Sequence, residues 1–160
     1  MERVRYEDGG LWLAARGTSP VDSTPLTCPV GDRSYEAEVT LDLEGAVEAG
    51  LLLFYNPKAF VGVGFDGKQV KTFEFSEDLP WMRPPLAARS VRVRLTNDDN
   101  VITYHYSTDG GRTWVLHGLR MEVSGYHHNV FGGFLSLKPA IYSVGSGRVR
   151  LSDFRYRALT

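Results

Sequence analysis

Strict alternation is the feature that most limits what this chain can become. Over residues 35–43, Tyr35, Ala37, Val39, Leu41 and Leu43 fall on one side of an extended backbone, and Glu36, Glu38, Thr40 and Asp42 on the other. A period of two sets one apolar row against a core and one polar row toward water, which a helix of about 3.6 residues per turn does not do. The same rhythm returns at 90–96, where Val91, Val93 and Leu95 oppose Arg92 and Arg94, and at 101–107, where Ile102, Tyr104 and Tyr106 oppose Thr103 and His105. Residues 49–55 are apolar on both faces, as a strand between two packed layers should be.

Turn formers punctuate these runs. Asn56-Pro57, Asp66-Gly67 and the polar stretch 97–100 mark reversals between 49–55, 60–65, 69–75, 90–96 and 101–107. Residues 11–15, 113–117, 130–137 and 147–157 read as further strands. In the last of these the apolar phase slips from Val149 and Leu151 to Phe154 and Tyr156, which predicts a bulge near Ser152-Asp153. Residues 17–33 and 79–86 each hold three prolines and read as loops. About ten strands at hairpin spacing predict an all-β, two-sheet antiparallel sandwich. No linker, repeat or low-complexity tract divides residues 1–160, so a single domain is expected.

Composition narrows the function classes. The formal net charge is −1, which does not suit a dedicated nucleic-acid binder. The longest apolar run, residues 51–55, is far short of the roughly 20 residues of a membrane-spanning helix. The start shows no apolar signal core, so the chain as written is expected in the cytoplasm, or secreted if excised from a larger enzyme. The lone Cys28 can form neither an internal disulfide nor a cysteine-rich zinc site.

Three places concentrate chemistry. Ser107, Asp109, Gly111, Thr113 and Trp114 fit S-x-D-x-G-x-T-W, the Asp box, which reads as a hairpin with Asp109 accepting backbone N–H groups and Trp114 packed beneath. Residues 125–133 contain Tyr126, His127, His128, Asn129 and Phe131 between Gly125 and Gly132-Gly133. Adjacent residues of an extended segment point to opposite faces, so His127 and His128 do not share one metal ion. The loop is instead expected at the rim of a sheet as a ligand-contacting edge, with one histidine buried and hydrogen-bonded. Trp81, in its proline-rich loop, and Tyr104 supply flat rings on which a sugar can stack. The acidic residues fall in turns or on outward rows, not as the facing pair that glycoside hydrolysis needs. The rival reading is an enzyme in its own right, a hydrolase or a lyase with Tyr126 and His127 or His128 as its acid–base pair.

The segment 121–137 resembles the C-terminal β-sandwich of glycoside hydrolase family 43 β-xylosidases and arabinofuranosidases. The hairpin Tyr106-Ser-Thr-Asp-Gly-Gly-Arg-Thr-Trp, the strand 49–56, Arg94-Leu-Thr-Asn and the closing Phe154-Arg-Tyr-Arg are similar to that domain in the same order, over roughly residues 10–158. The resemblance implies a concanavalin-A-like jelly roll and a non-catalytic accessory role toward xylan or arabinoxylan oligosaccharides. It implies as partner the family's catalytic propeller, which is absent from these residues, and a purely structural domain that docks on such a propeller is the second rival reading. No cofactor is required. Related sandwiches often hold a calcium ion where the first and last strands meet, which makes Glu7, Asp8 and Asp153 the candidate ligands.

Overall fold

In a computed structural model, residues 2–125 and 137–159 are described. Strands β1 (Val4–Glu7), β2 (Gly10–Ala14), β3 (Leu26–Thr27), β4 (Tyr35–Glu44) and β5 (Val47–Asn56) open the chain. Next come β6 (Ala59–Phe65), β7 (Val70–Glu74), β8 (Glu77–Asp78), β9 (Ser90–Asp98) and β10 (Val101–Ser107). The last four are β11 (Val115–Leu116), β12 (Met121–Glu122), β13 (Lys138–Gly145) and β14 (Arg148–Ala158). Among the described residues the only helical turn is a 3-10 turn at Pro20–Asp22.

The strands form two antiparallel sheets. One has the order β1-β2-β14-β4-β9-β10-β11, with β12 also paired to β10; the other has the order β3-β13-β5-β6-β7-β8. The alternating rows of β4, β9 and β10 turn Val39, Leu41, Val93, Leu95, Ile102 and Tyr104 inward. There they meet Leu51, Leu53, Val61, Val63 and Phe65 from β5 and β6, which makes the main core. Burying each such side chain contributes roughly 1.5–3 kcal/mol.

The turns are built by the side chains that announced them. Between β6 and β7, Asp66 Oδ1 accepts the N–H groups of Lys68 (2.8 Å) and Gln69 (2.9 Å) around Gly67 at φ +88°. Between β9 and β10, Asp99 and Asn100 both take positive φ, as a two-residue hairpin demands, and Asn97 Oδ1 accepts the Asn100 N–H at 2.9 Å.

The slip in β14 is a bulge between Ser152 and Arg155, with Asp153 at φ +52°. Upstream of it β14 pairs with both β2 and β4; downstream it pairs with β4 alone. Three expectations change. The sequence pattern gives no strand at β13, because Pro139 lacks an N–H for the ladder and no alternation marks it. The run 113–117 is a strand only at Val115–Leu116, since the Asp-box turn occupies its start. Residues 130–136 of the predicted strand at 130–137 lie outside the described residues, and Leu137 is not in a strand.

Candidate functional site

Five of the predicted site residues, Tyr126, His127, His128, Asn129 and Phe131, lie outside the described residues. The other two part company. Trp81 is 70% exposed, whereas Tyr104 is 0% exposed. Tyr104 is therefore a correction: it belongs to the inward row of β10, and a ligand in solvent cannot reach its ring.

Trp81 is presented by a loop that β7 ties down. Leu79 N–H donates to the Thr72 carbonyl, Val70 N–H to that of Pro84, and the Thr72 hydroxyl to that of Met82 (2.9 Å). Arg83 pairs with Asp78 at 2.6 Å. Behind the loop sits His117, which sequence reasoning passed over. It is 2% exposed, and its Nε2 lies 2.9 Å from Thr72 Oγ1. Because the Thr72 hydroxyl already donates to Met82, His117 must donate from Nε2, which makes it the Nε2–H tautomer. Burial pushes its pKa down, so the ring is held neutral. The result is an exposed aromatic on a rigid mount, suited to stacking without a large ordering cost.

The Asp box forms the hairpin expected of it. Asp109 accepts the N–H groups of Arg112 (3.0 Å) and Thr113 (2.9 Å), and the Thr113 and Ser107 hydroxyls donate to it as well. The Thr113 hydroxyl and N–H, followed by the Ser107 hydroxyl, hold its pKa well below the usual carboxylate range. Trp114 packs beneath, with the Arg94 guanidinium 4.1 Å from its ring centre.

Four carboxylates depart from their ordinary pKa, and all move down. Asp22 is lowered by the N–H groups of Ser19 and Thr18, and Glu122 by the Ser124 hydroxyl and N–H. At Asp66 burial pushes upward, but the Gln69 and Lys68 N–H groups and Lys71 outweigh it. With Asp109, these are carboxylates kept ionised for turn building, the opposite of what a general acid requires.

Glu7, Asp8 and Asp153 do not assemble a cation cage. Glu7 is engaged by Arg148 (3.0 Å) and Arg5 (3.7 Å). Among the described residues no three His, Cys, Asp or Glu side chains gather as metal ligands.

The outward face of the larger sheet is a charged lattice that no single segment discloses. Strand register aligns Arg155 of β14, Glu38 of β4, Arg94 of β9 and His105 of β10 in one row across four strands. Arg157, Glu36, Thr96 and Thr103 form the next row. Above them a cleft of about 710 Å³ opens toward solvent, lined in part by Arg94, Arg155, Arg157, Glu36 and Glu38.

No family model and no curated protein matches the chain. Solved structures do. The family 43 protein BlXynB from Bacillus licheniformis, as its K247S mutant, superposes with a TM-score of 0.83 at 16% identity, over 96% of this chain and 34% of that one. The xylan beta-1,4-xylosidase from Bacillus halodurans C-125 gives 0.79 at 15% identity, over 94% of this chain and 33% of that one. A protein of unknown function from Saccharomyces cerevisiae gives 0.62 at 13% identity, over 98% of this chain and 92% of that one. The chain thus spans about a third of the length of the family 43 chains it matches, and nearly the whole of the yeast one. It has the fold of the β-sandwich part of glycoside hydrolase family 43 chains, the part to which its sequence motifs pointed.

Proposed function

We propose that this sandwich is a non-catalytic carbohydrate-binding or accessory unit of family 43 type, with xylan or arabinoxylan oligosaccharides as ligand and a family 43 catalytic propeller as partner. The observation that supports it most is the superposition of 96% of the chain on about a third of a family 43 structure. The site chemistry is consistent with it. Trp81 offers an exposed ring, the lattice offers hydrogen-bonding groups, and none of the shifted carboxylates has the raised pKa of an acid catalyst. Calcium at Glu7, Asp8 and Asp153 is a separable part of the reading; if it binds there, chelator should lower the melting temperature.

Isothermal titration with xylotetraose tests the main reading, run alongside a chromogenic xyloside assay. Saturable binding without turnover supports it. Turnover by the purified chain, or no binding to any xylo-oligosaccharide and none to a family 43 propeller, overturns it.

A further inference from the structure

The lattice on the larger sheet is not neutral, and the imbalance has an address. Glu38 is taken by Arg92, whose Nε donates to Oε2 at 3.0 Å, with both side chains about 15% exposed. Glu36 is taken by Arg157 at 2.8 Å. That leaves Arg94, which is 3.8 Å from the already paired Glu38, and Arg155, which has no ion pair among the described residues. Both line the 710 Å³ cleft. His105, the remaining titratable group of the row, has its pKa lowered by burial and by Arg94, so it adds no charge near neutrality.

Four outward arginines thus face two glutamates, and Arg155, which is unpaired among the described residues, and Arg94, which shares Glu38 with Arg92, flank β4 in one row, two strand spacings or about 10 Å apart at the backbone. Each is carried on a chain long enough to lean over β4. Trp114 stacks on Arg94 and limits its rotamers, so less order is lost when an anion arrives. Phe154, 44% exposed, stands at the wall of the same cleft and offers an apolar surface next to the charges.

We propose that this cleft binds the carboxylate of an acidic saccharide, a uronic-acid substituent on an oligosaccharide, between Arg155 and Arg94. The proposal rests on the carbohydrate reading above and adds a second site with its own chemistry. A guanidinium recognises a carboxylate through paired N–H donors, and such charge-assisted bonds are about twice as strong as neutral ones. The saccharide ring meets Phe154 while the carboxylate meets the arginines.

The test is calorimetric titration of two probes, xylotetraose and the same oligosaccharide carrying one glucuronate branch, into the wild type, Arg155→Ala and Arg155→Lys. Arg155 is exposed, so neither substitution threatens folding. The acidic probe should bind about tenfold more tightly than the neutral one. Arg155→Ala should abolish that gap, Arg155→Lys should restore part of it, and high salt should shrink it. Equal affinities in the wild type, or a gap that survives Arg155→Ala, overturn the proposal. Neutral binding without a gap would leave the carbohydrate reading standing alone. An Arg155-dependent gap without neutral binding would support the acidic site and sink the neutral xylan reading. Binding of neither probe would end this proposal and leave the accessory reading to the propeller test alone.

Discussion

The two sheets of this sandwich bury their inner faces alike and treat their outer faces in opposite ways. The larger sheet turns Glu36, Glu38, Arg92, Arg94, Arg155 and Arg157 outward. The smaller one turns Leu52, Phe60, Phe73, Ala140, Tyr142 and Val144 outward, and all six are nonetheless buried. Phe73 meets Tyr142 edge-on at 5.8 Å and Phe60 at 5.9 Å, so this second cluster has its own aromatic packing. A charged outer face is held in solvent by the desolvation cost of its ions. An apolar outer face is stable only when covered. The comparison teaches where to expect each kind of sensitivity: packing on the small sheet, charge on the large one.

The largest expected effect breaks the small sheet at Gly64. The Tyr142 ring crosses this position so closely that a Cβ at Gly64 would lie 1.7 Å from its hydroxyl. Tyr142 is fully buried and donates from that hydroxyl to Glu48 Oε2 at 2.7 Å, while Lys71 holds Glu48 at 2.6 Å. Gly64→Ala must displace the ring and its hydrogen bond together. A loss of about 3 kcal/mol is expected, with Tm down by about 10 °C. Thr96→Val, on the outward row of the large sheet, should change stability by no more than about 0.5 kcal/mol. Urea melts of both variants decide it; equal effects would mean that the two outer faces are not different in kind.

The second effect is pH-dependent and probes the joint between the sheets. His117 follows β11 of the large sheet and bonds Thr72 of the small one. Its pKa in the folded state is lowered by burial, below the unfolded value of about 6.5. The unfolded chain therefore binds the proton first. The stability that depends on neutral His117 is complete above about pH 6.5 and drains away as pH falls toward the folded pKa. His105 is lowered too and contributes in the same direction. Denaturant midpoints between pH 7 and pH 5 should fall, and His117→Gln should flatten part of that slope. An unchanged slope would show that the ring is not held neutral by the fold.

How much of this was legible follows from the same contrast. Strands β4, β9 and β10 were readable because one face is polar, and alternation is a signal only when two faces differ. Strand β13, with Ala140, Ile141, Tyr142, Ser143 and Val144 all buried, gives no alternation, and Pro139 argues against it. β1, β3, β8 and β12, of two to four residues, are too short to show a period. At the site, Trp81 was legible because prolines on both sides exclude it from a ladder. Tyr104 is ambiguous in the sequence because a tyrosine can serve either face, and the apolar phase of β10 settles which. The arginine lattice was visible strand by strand. What sequence reasoning lacked was the adjacency of Glu38 and Arg155, which only the sheet order supplies.

The smallest expected effect on stability is also the sharpest on function. Trp81 is 70% exposed, and the hydrogen bonds tying its loop to β7 run through the backbone of Leu79, Met82 and Pro84, with none from the indole. Trp81→Ala therefore removes a ring without removing a contact that holds the fold. Its Tm should stay within about 2 °C of the wild type, in keeping with a stability change below about 0.5 kcal/mol. If the rigidly mounted ring stacks on a sugar face, the same substitution should weaken xylotetraose binding by about tenfold, since an aromatic contact of this kind contributes roughly 1 kcal/mol or more. Trp81→Phe, which keeps a flat apolar ring, should recover part of the loss. Unchanged affinity in Trp81→Ala would remove Trp81 from the binding surface. A large drop in Tm would place it in the packing of the small sheet instead, on the structural side of the comparison.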